Sequence, residues 1–135
     1  MDLSVVIPLY NESESIEELN KWIINALNIE SISFEIIYIN DGSSDGSWNI
    51  IKRLADDSNN IKGISFSKNF GKSQALNSGF IECKGKYVAT LDADLQDSPE
   101  EIPEMINKLK EEDLDLISGW KKKRYDSIIL KKIHS

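Results

Sequence analysis

Short apolar runs alternate with amphipathic stretches along most of the chain. The apolar runs, which are rich in β-branched residues, occupy positions 3–8, 34–39, 61–66, 86–90 and 114–120. Between them, apolar residues recur at helical spacing, as in Ile16, Leu19, Ile23 and Leu27. Alternating strands and helices with short connections predict an α/β fold, in which a mostly parallel sheet is flanked by helices.

Cap and turn residues predict where several of these helices begin and end. Asn11 or Ser13 is expected to cap the first helix, because either side chain can accept a hydrogen bond from a free backbone N–H. Gly85 suits the C-terminal cap of the third helix. Pro99 is expected in the first turn of the fourth helix, where its missing N–H leaves no carbonyl without a partner.

Polar turns follow the first four predicted strands. They span residues 8–12, 41–46, 68–73 and 92–97. Ligands of open α/β sheets bind beyond the carboxyl ends of the strands. We therefore expect these four loops to meet in one crevice, and their side chains to carry whatever chemistry the protein performs.

The acidic stretch at 91–97 follows an apolar strand. Asp92, Asp94 and Gln96 alternate, so on extended backbone their side chains lie on one side of the chain. Three oxygen-bearing side chains suit a hard divalent cation that also keeps water and phosphate oxygens as ligands. The alternative is a polar loop in which Asp97 and Ser98 cap the next helix. The position at the end of a strand favours the metal site.

Two other loops carry candidate binding groups. Asp41 follows the second strand and could accept hydrogen bonds from the N–H edge of a nucleobase; alternatively it braces its own turn through Gly42 and Ser43. Lys72 follows a glycine and could contact a phosphate, although a solvated lysine is the simpler interpretation. The chain lacks the G-x-x-x-x-G-K-[ST] motif, and no G-x-G-x-x-G follows its first strand. These absences disfavour a P-loop hydrolase and a dinucleotide enzyme.

Composition narrows the function classes further. A chain of 135 residues fits one domain, and its net charge of −7 argues against a nucleic-acid partner. The charge is unevenly placed: residues 119–135 carry +5, which leaves −12 on the first 118 residues. A single cysteine, Cys83, excludes an intrachain disulfide and suits a reducing compartment. We expect no signal peptide and no membrane-spanning helix in this sequence.

Four motifs together resemble those of family 2 glycosyltransferases. They read VVIPLYNE at 5–12, NDGSSDGS at 40–47, NFGK at 69–72 and LDADLQD at 91–97. The resemblance extends from residue 4 to about residue 126 and is greater to the dolichol-phosphate mannose synthase branch, which includes bacterial polyprenyl-phosphate glucosyltransferases. It implies a GT-A, Rossmann-like domain that binds a nucleotide-diphosphosugar.

The resemblance also implies roles for individual residues. The nucleotide pocket would be lined by Pro8, Tyr10, Glu12, Asp41, Lys72 and Asp92. Asp94 and Gln96 would hold Mg2+ or Mn2+ against the diphosphate, and the residues expected to act in catalysis are Asp92, Asp94, Lys121 and Arg124. The implied domain division is a catalytic core at 1–120 and a basic segment at 121–135 that begins the region facing the acceptor and the membrane.

The basic segment departs from the branch at one position. GWKKKRYDS at 119–127 resembles its arginine-containing acceptor motif, but Lys121 replaces the first arginine and so lacks the bidentate fork. Lys121, Lys123 and Arg124 would bind the acceptor phosphate. Lys131 and Lys132 would face anionic lipid, and the apolar residues between 128 and 133 predict an interfacial helix. Members of this branch continue into further helices, so the chain is expected to be the core of a longer protein.

The predicted activity is inverting transfer of a hexose from a UDP- or GDP-sugar to polyprenyl phosphate at the cytoplasmic face of a membrane, by a protein that could form homo-oligomers. One alternative is a saccharide acceptor, whose hydroxyl would need a base, with Asp97 as a candidate. A second alternative is a pseudoenzyme that only binds the nucleotide-sugar. A phosphoacceptor receiver module would need an acidic pair after the first strand, where this chain has Pro8, Leu9 and Tyr10.

Overall fold

A computed structural model describes residues 1–118 and 128–133. Its strands are β1 Leu3–Leu9, β2 Phe34–Asn40, β3 Ile61–Ser65, β4 Tyr87–Thr90, β5 Leu116–Ser118 and β6 Ile129–Lys132. Within the described residues they form one six-stranded sheet in the order β3-β2-β1-β4-β6-β5. The first four strands run parallel, and β6 pairs antiparallel with both β4 and β5. The predicted α/β fold with a mostly parallel sheet is confirmed.

Helices cover the two faces of the sheet unequally. They are α1 Ile16–Ile29, α2 Ser47–Asp57, α3 Lys72–Glu82 and α4 Glu101–Glu111. The larger core cluster contains Ile23 of α1, Ile51 of α2 and Ile106 of α4, so these three helices share one face. The smaller cluster contains Ala75 of α3, which packs against β1 and β2 on the other face. Within the described part, each helix is too short or too polar to cross a bilayer.

Burial on both faces explains the continuous apolar runs of the two central strands, β1 and β2. Every residue of β1 and of β2 is buried. A parallel strand that is covered on both faces reads as a continuous apolar run, because neither side of it meets water. These strands place Leu9 and Asn40 side by side at the carboxyl edge, where the polar turns begin.

Three of the predicted helix ends are wrong. Helix α1 begins at Ile16, and Asn11 and Ser13 lie in the preceding turn. Gly85 lies beyond the end of α3; a Cβ there would stand 2.5 Å from the backbone of Leu3 and Ser4, so its role is close chain packing. Pro99 precedes α4, which begins at Glu101. Asn11 and Ser13 hydrogen-bond to the turn after β2, and Gly85 packs on β1, so at these two ends a contact with another segment determines the conformation.

The secondary structure of the segment at 128–133 also differs from the prediction. It was expected to form an interfacial helix, but Ile129–Lys132 forms strand β6. Ile128 and Leu130 are buried in the main core, while Ile129 and Lys131 are exposed, which is the two-residue period of a strand. The edge of β4 needs a partner for its backbone groups, and β6 supplies it. The predicted strand at 114–120 is described from Leu116 to Ser118.

A buried carboxylate joins β2 to its neighbours near the amino edge of the sheet. Glu35 is 1% exposed, and its Oε2 accepts hydrogen bonds from the Ser4 hydroxyl at 2.6 Å and the Lys84 N–H at 2.8 Å. Its Oε1 lies 3.1 Å from Lys62 Nζ. Burial alone would raise the pKa of Glu35, but the hydrogen bonds and the Lys62 charge outweigh burial and lower it.

Stability is therefore expected to depend on pH through Glu35. With a folded pKa below the ordinary 4.5, its ionised form stabilises the fold above that pH, and this contribution is lost as the pH falls through the folded pKa. We predict that Glu35→Gln lowers the free energy of unfolding by about 1–3 kcal/mol at pH 7. Urea unfolding from pH 7 to pH 3 should show the difference from wild type shrinking below pH 4.5. Asp56→Asn, at an exposed site, is the control; a Glu35→Gln difference that stays constant would contradict this assignment.

Gly42 fixes how the turn after β2 packs on the loop after β3. It has a φ of +76°, and a Cβ there would lie 2.2 Å from the carbonyl carbon of Lys68. No rotation of a side chain relieves a contact with backbone. The close approach holds residues 41–42 against residues 68–69.

Replacing Gly42 should therefore separate the two loops. We predict that Gly42→Ala lowers the free energy of unfolding by about 2 kcal/mol or more, through the positive φ and the clash. Gly46→Ala is a matched control, since its added Cβ would meet nothing within 4 Å; its effect should stay within about 0.5 kcal/mol. Thermal or urea unfolding of the two variants measures the contrast, and equal losses would refute the packing argument.

Candidate functional site

The loops at the carboxyl edge enclose a cavity of about 410 Å³. It is lined by Pro8, Leu9, Tyr10, Glu12, Asp41, Asn69, Gly71, Lys72, Asp92, Ala93 and Asp94. Every residue predicted to bind the nucleotide is in this set. Gln96, predicted as a metal ligand, is exposed and lies outside the lining. Lys121, Lys123 and Arg124 lie outside the described residues.

The first two loops are joined by hydrogen bonds from backbone N–H groups. Asn11 N–H donates to Ser43 Oγ at 2.8 Å, and Glu12 N–H donates to Ser47 Oγ at 3.1 Å. Asp45 Oδ1 accepts from the Ser47 N–H, and its Oδ2 accepts from the Ser13 N–H. Desolvation would raise the pKa of Asp45, but the hydrogen bond from the Ser47 hydroxyl at 2.6 Å, together with the two N–H bonds, prevails and lowers it to about 2. Asp45 therefore braces the turn and keeps Glu12 beside the cavity.

Asp41 has a structural role that the sequence did not reveal. The residue is 5% exposed, and its carboxylate accepts hydrogen bonds from the N–H groups of Phe70 at 2.7 Å and Gly71 at 3.0 Å. Asn69 Nδ2 also donates to the Asp41 carbonyl. The expected alternative was bracing through Gly42 and Ser43. The side chain instead connects the end of β2 to the loop before α3, a contact between segments about 30 residues apart.

The acidic loop after β4 is shaped by its own aspartates. Asp97 is 2% exposed, and its Oδ2 accepts a hydrogen bond from the Asp92 N–H at 3.1 Å. Asp94 Oδ1 accepts from the Gln96 N–H at 3.3 Å, and Leu95 takes a positive φ of 66°. This turn leaves Asp94 exposed at the cavity and Asp97 buried.

Lys72 and Asp92 form an ion pair at the cavity. Lys72 Nζ lies 2.9 Å from Asp92 Oδ1, with the lysine side chain 56% exposed and the aspartate 21% exposed. An ion pair this open to water contributes little to stability. The pair instead matters for position, because it places a cation at the start of α3 beside the acidic loop.

The charges around the cavity are unbalanced. Four of the described lining residues, Glu12, Asp41, Asp92 and Asp94, are acidic, and Lys72 is the one cation among them. Such a surface repels a bare anion. It attracts a divalent cation, and hard cations prefer carboxylate oxygens.

The carboxylates at the cavity suit a metal ion whose coordination shell is completed by water and by oxygens of a bound substrate. Within the described residues, no group of three His, Cys, Asp or Glu side chains is placed to hold a metal by itself. Asp92 and Asp94 both line the cavity. Mg2+ and similar ions are commonly held by one or two carboxylates, with water and phosphate oxygens completing the shell.

Comparison with known proteins identifies the family. The model of "Glycosyl transferase family 2" matches residues 4–135. The dodecaprenyl-phosphate galacturonate synthase of Rhizobium johnstonii is 34% identical over 136 positions, covering 100% of this chain and 40% of the relative. The undecaprenyl-phosphate 4-deoxy-4-formamido-L-arabinose transferase of Pseudomonas syringae pv. syringae is 39% identical, covering 93% of this chain and 37% of the relative. The chain thus spans well under half the length of these relatives.

A solved structure shares the fold. The mannosyltransferase PcManGT of Pyrobaculum calidifontis, determined with GDP-Man and Mn2+, superposes with a TM-score of 0.82 at 20% identity, covering 96% of this chain and 44% of that one. With the family match over residues 4–135, this confirms the GT-A fold expected from the four motifs. The chain belongs to glycosyl transferase family 2.

Proposed function

We propose that this protein transfers a hexose, with inversion, from a nucleotide-diphosphosugar to polyprenyl phosphate at the cytoplasmic face of a membrane, and that the transfer depends on a divalent cation. The observation that carries the proposal is the acid-lined cavity in which the four motif loops meet. The two relatives described above are named for polyprenyl-phosphate products or acceptors, which supports the choice of acceptor.

The nucleotide would occupy the β1 and β2 side of the cavity. Tyr10 is 49% exposed there and offers an aromatic face for a base. Asp41 would accept hydrogen bonds from the base edge, since each of its oxygens holds only one of the bonds described above and retains a lone pair. Pro8 and Glu12 would complete this end of the pocket.

The diphosphate would lie beside the acidic loop. Asp94 and Asp92 would hold Mg2+ or Mn2+, and the bound ion would neutralise charge on the leaving diphosphate. Gln96 remains a predicted ligand, and its exposed position would require the side chain to turn toward the ion. Lys72 would exchange its contact with Asp92 for a contact with a phosphate oxygen.

The transfer itself needs few protein groups. An oxygen of the acceptor phosphate would form a bond to the anomeric carbon of the sugar, while the bond from that carbon to the diphosphate breaks and its electron pair leaves with the diphosphate. A phosphate monoester has a second pKa of ~6 and is therefore largely ionised near neutral pH. No protein base is required, and Lys121 and Arg124 are proposed to hold this phosphate. A saccharide acceptor would need a base, and Asp97 is poorly placed for that role because it is 2% exposed.

The activity is tested by incubating the protein with a panel of UDP- and GDP-sugars, Mn2+ and polyprenyl phosphate. We expect a hexose-bearing polyprenyl phosphate from one donor, identified by mass spectrometry with its anomeric configuration determined by NMR. Transfer to a saccharide with none to the lipid would overturn the acceptor. Nucleotide binding without transfer in the full-length protein would favour a pseudoenzyme.

Asp94 provides the test of the metal site. We predict that Asp94→Ala lowers the Mn2+-dependent affinity for UDP or GDP at least tenfold, because the ion loses a carboxylate ligand. The residue is exposed and its hydrogen bond to the Gln96 N–H lies within one loop, so the far-UV circular dichroism spectrum should not change. Isothermal titration with and without Mn2+ measures the effect, with the exposed Asp56→Ala as control. Unchanged affinity in Asp94→Ala would remove the assignment.

Lys72 provides a test of the diphosphate position. We predict that Lys72→Met weakens binding of the nucleoside diphosphate about tenfold, the loss expected for a charged hydrogen bond, and leaves binding of the nucleoside alone unchanged. Lys52→Met removes the same charge from an exposed position on α2, outside the cavity, and should change neither affinity. If Lys72→Met weakened the nucleoside and the diphosphate equally, Lys72 would not be a phosphate contact.

A further inference from the structure

The Ser15 hydroxyl, just before helix α1, contacts two of the loops that form the cavity. Its Oγ donates a hydrogen bond to the Ala93 carbonyl at 2.6 Å, between positions 78 residues apart in the chain. The same oxygen lies 3.2 Å from Glu12 Oε2 and 3.2 Å from the Glu12 carbonyl oxygen. Both Ser15 and Ala93 are buried. The hydroxyl therefore joins the loop after β1 to the acidic loop after β4 inside the protein.

The acidic loop is the main partner of this hydroxyl. A serine side chain has one proton to donate, and three acceptor oxygens lie near it. The separation of 2.6 Å from the Ala93 carbonyl is short even for an O–H···O hydrogen bond, whereas both contacts with Glu12 are long for one. We therefore assign the proton to the bond with Ala93.

Ser15 makes this bond from a position where serine usually serves its own helix. It is the N-cap residue of α1, where a serine side chain commonly accepts a hydrogen bond from an N–H of the first turn. Within the described residues its side chain makes no such bond, and its backbone is in the helical region at φ −109° and ψ −14°. The side-chain contact is thus a tertiary one, and removing it takes no capping bond from α1.

The bond restrains the part of the loop that carries the proposed metal ligands. The Ala93 carbonyl belongs to the planar peptide group that joins Ala93 to Asp94, so holding it sets the direction in which the backbone enters Asp94. Asp92 and Asp94 flank this residue, and both line the cavity. The hydrogen bonds described above for this loop are internal or come from the exposed Lys72. Ser15 adds a buried contact from a separate element, without which the Ala93 carbonyl would lose this partner.

We propose that Ser15 is a positioning residue for the divalent cation, acting through the Ala93 carbonyl on the orientation of Asp92 and Asp94. The inference rests on the proposed function, which assigns the cation to those two carboxylates. Groups that orient metal ligands contribute to metal affinity although they do not touch the ion. Ser15 does not itself line the cavity, so its effect reaches the ion through the loop.

The test is a titration of Mn2+ into the protein with saturating UDP or GDP, whichever the wild type binds, with free Mn2+ measured by electron paramagnetic resonance. We expect Ser15→Ala to raise the Kd for Mn2+ about tenfold, the lower end of the effect of removing a group that orients metal ligands. Ser15→Thr keeps the hydroxyl and should retain most of the affinity. Ser4→Ala is the matched control, because Ser4 is also buried and donates a bond of 2.6 Å, but to Glu35 near the other edge of the sheet; it should leave the Kd unchanged.

An NMR measurement reports the bond itself. The carbonyl carbon signal of Ala93 should move in Ser15→Ala, because the carbonyl loses its donor, and should stay near its wild-type position in Ser4→Ala. A signal that does not move in Ser15→Ala would show that the bond is not formed in solution, and the proposal would fall.

The outcomes separate the role of Ser15 from the proposed function. A wild type that binds neither UDP nor GDP in the presence of Mn2+ would refute the proposed function. Normal wild-type binding with the same Kd for Mn2+ in Ser15→Ala and Ser4→Ala would refute the role of Ser15 alone. An equal loss in Ser15→Ala and Ser15→Thr would also refute it, since the hydroxyl would then not be the cause. So would an equal weakening of nucleotide binding in EDTA, which would place the effect at Glu12.

Discussion

The parallel pairing of β1 with β2 and β4 is the constraint on which the site depends. Parallel strands that share a register end at a common edge, so the turns that follow them must meet. Here Leu9 stands beside Asn40, and Val6 stands beside Thr90. Burial of the central strands on both faces keeps this register, since a one-residue slip would exchange the residues that face the two helical layers.

Strand pairing alone would bring the loops together without fixing their shapes. Hydrogen bonds between the loops fix those shapes. Asp41 holds the N–H groups of Phe70 and Gly71, and Asp45 holds those of Ser13 and Ser47. Each carboxylate satisfies backbone donors that the turns leave without partners. The acids of this edge therefore divide into those that organise the loops and those, such as Asp94, that remain exposed at the cavity.

The excess of acid over base around the cavity gives the site its proposed chemistry. Four carboxylates and one lysine among the described lining residues repel a diphosphate unless a cation accompanies it. Metal and nucleotide binding would then be coupled, because neither completes the site without the other.

The sequence by itself determined the first four strands, the four helices and their order, because buried strands and amphipathic helices leave periodic patterns that do not depend on which segment they pack against. It also placed Asp92, Asp94 and Lys72 in one site, because strand ends converge in any parallel sheet. Only the tertiary structure decided that Asp41 braces a distant loop and that Ile129–Lys132 is a strand. Both depend on contacts between segments far apart in the chain, and a local pattern contains no information about which backbone groups another segment leaves unpaired.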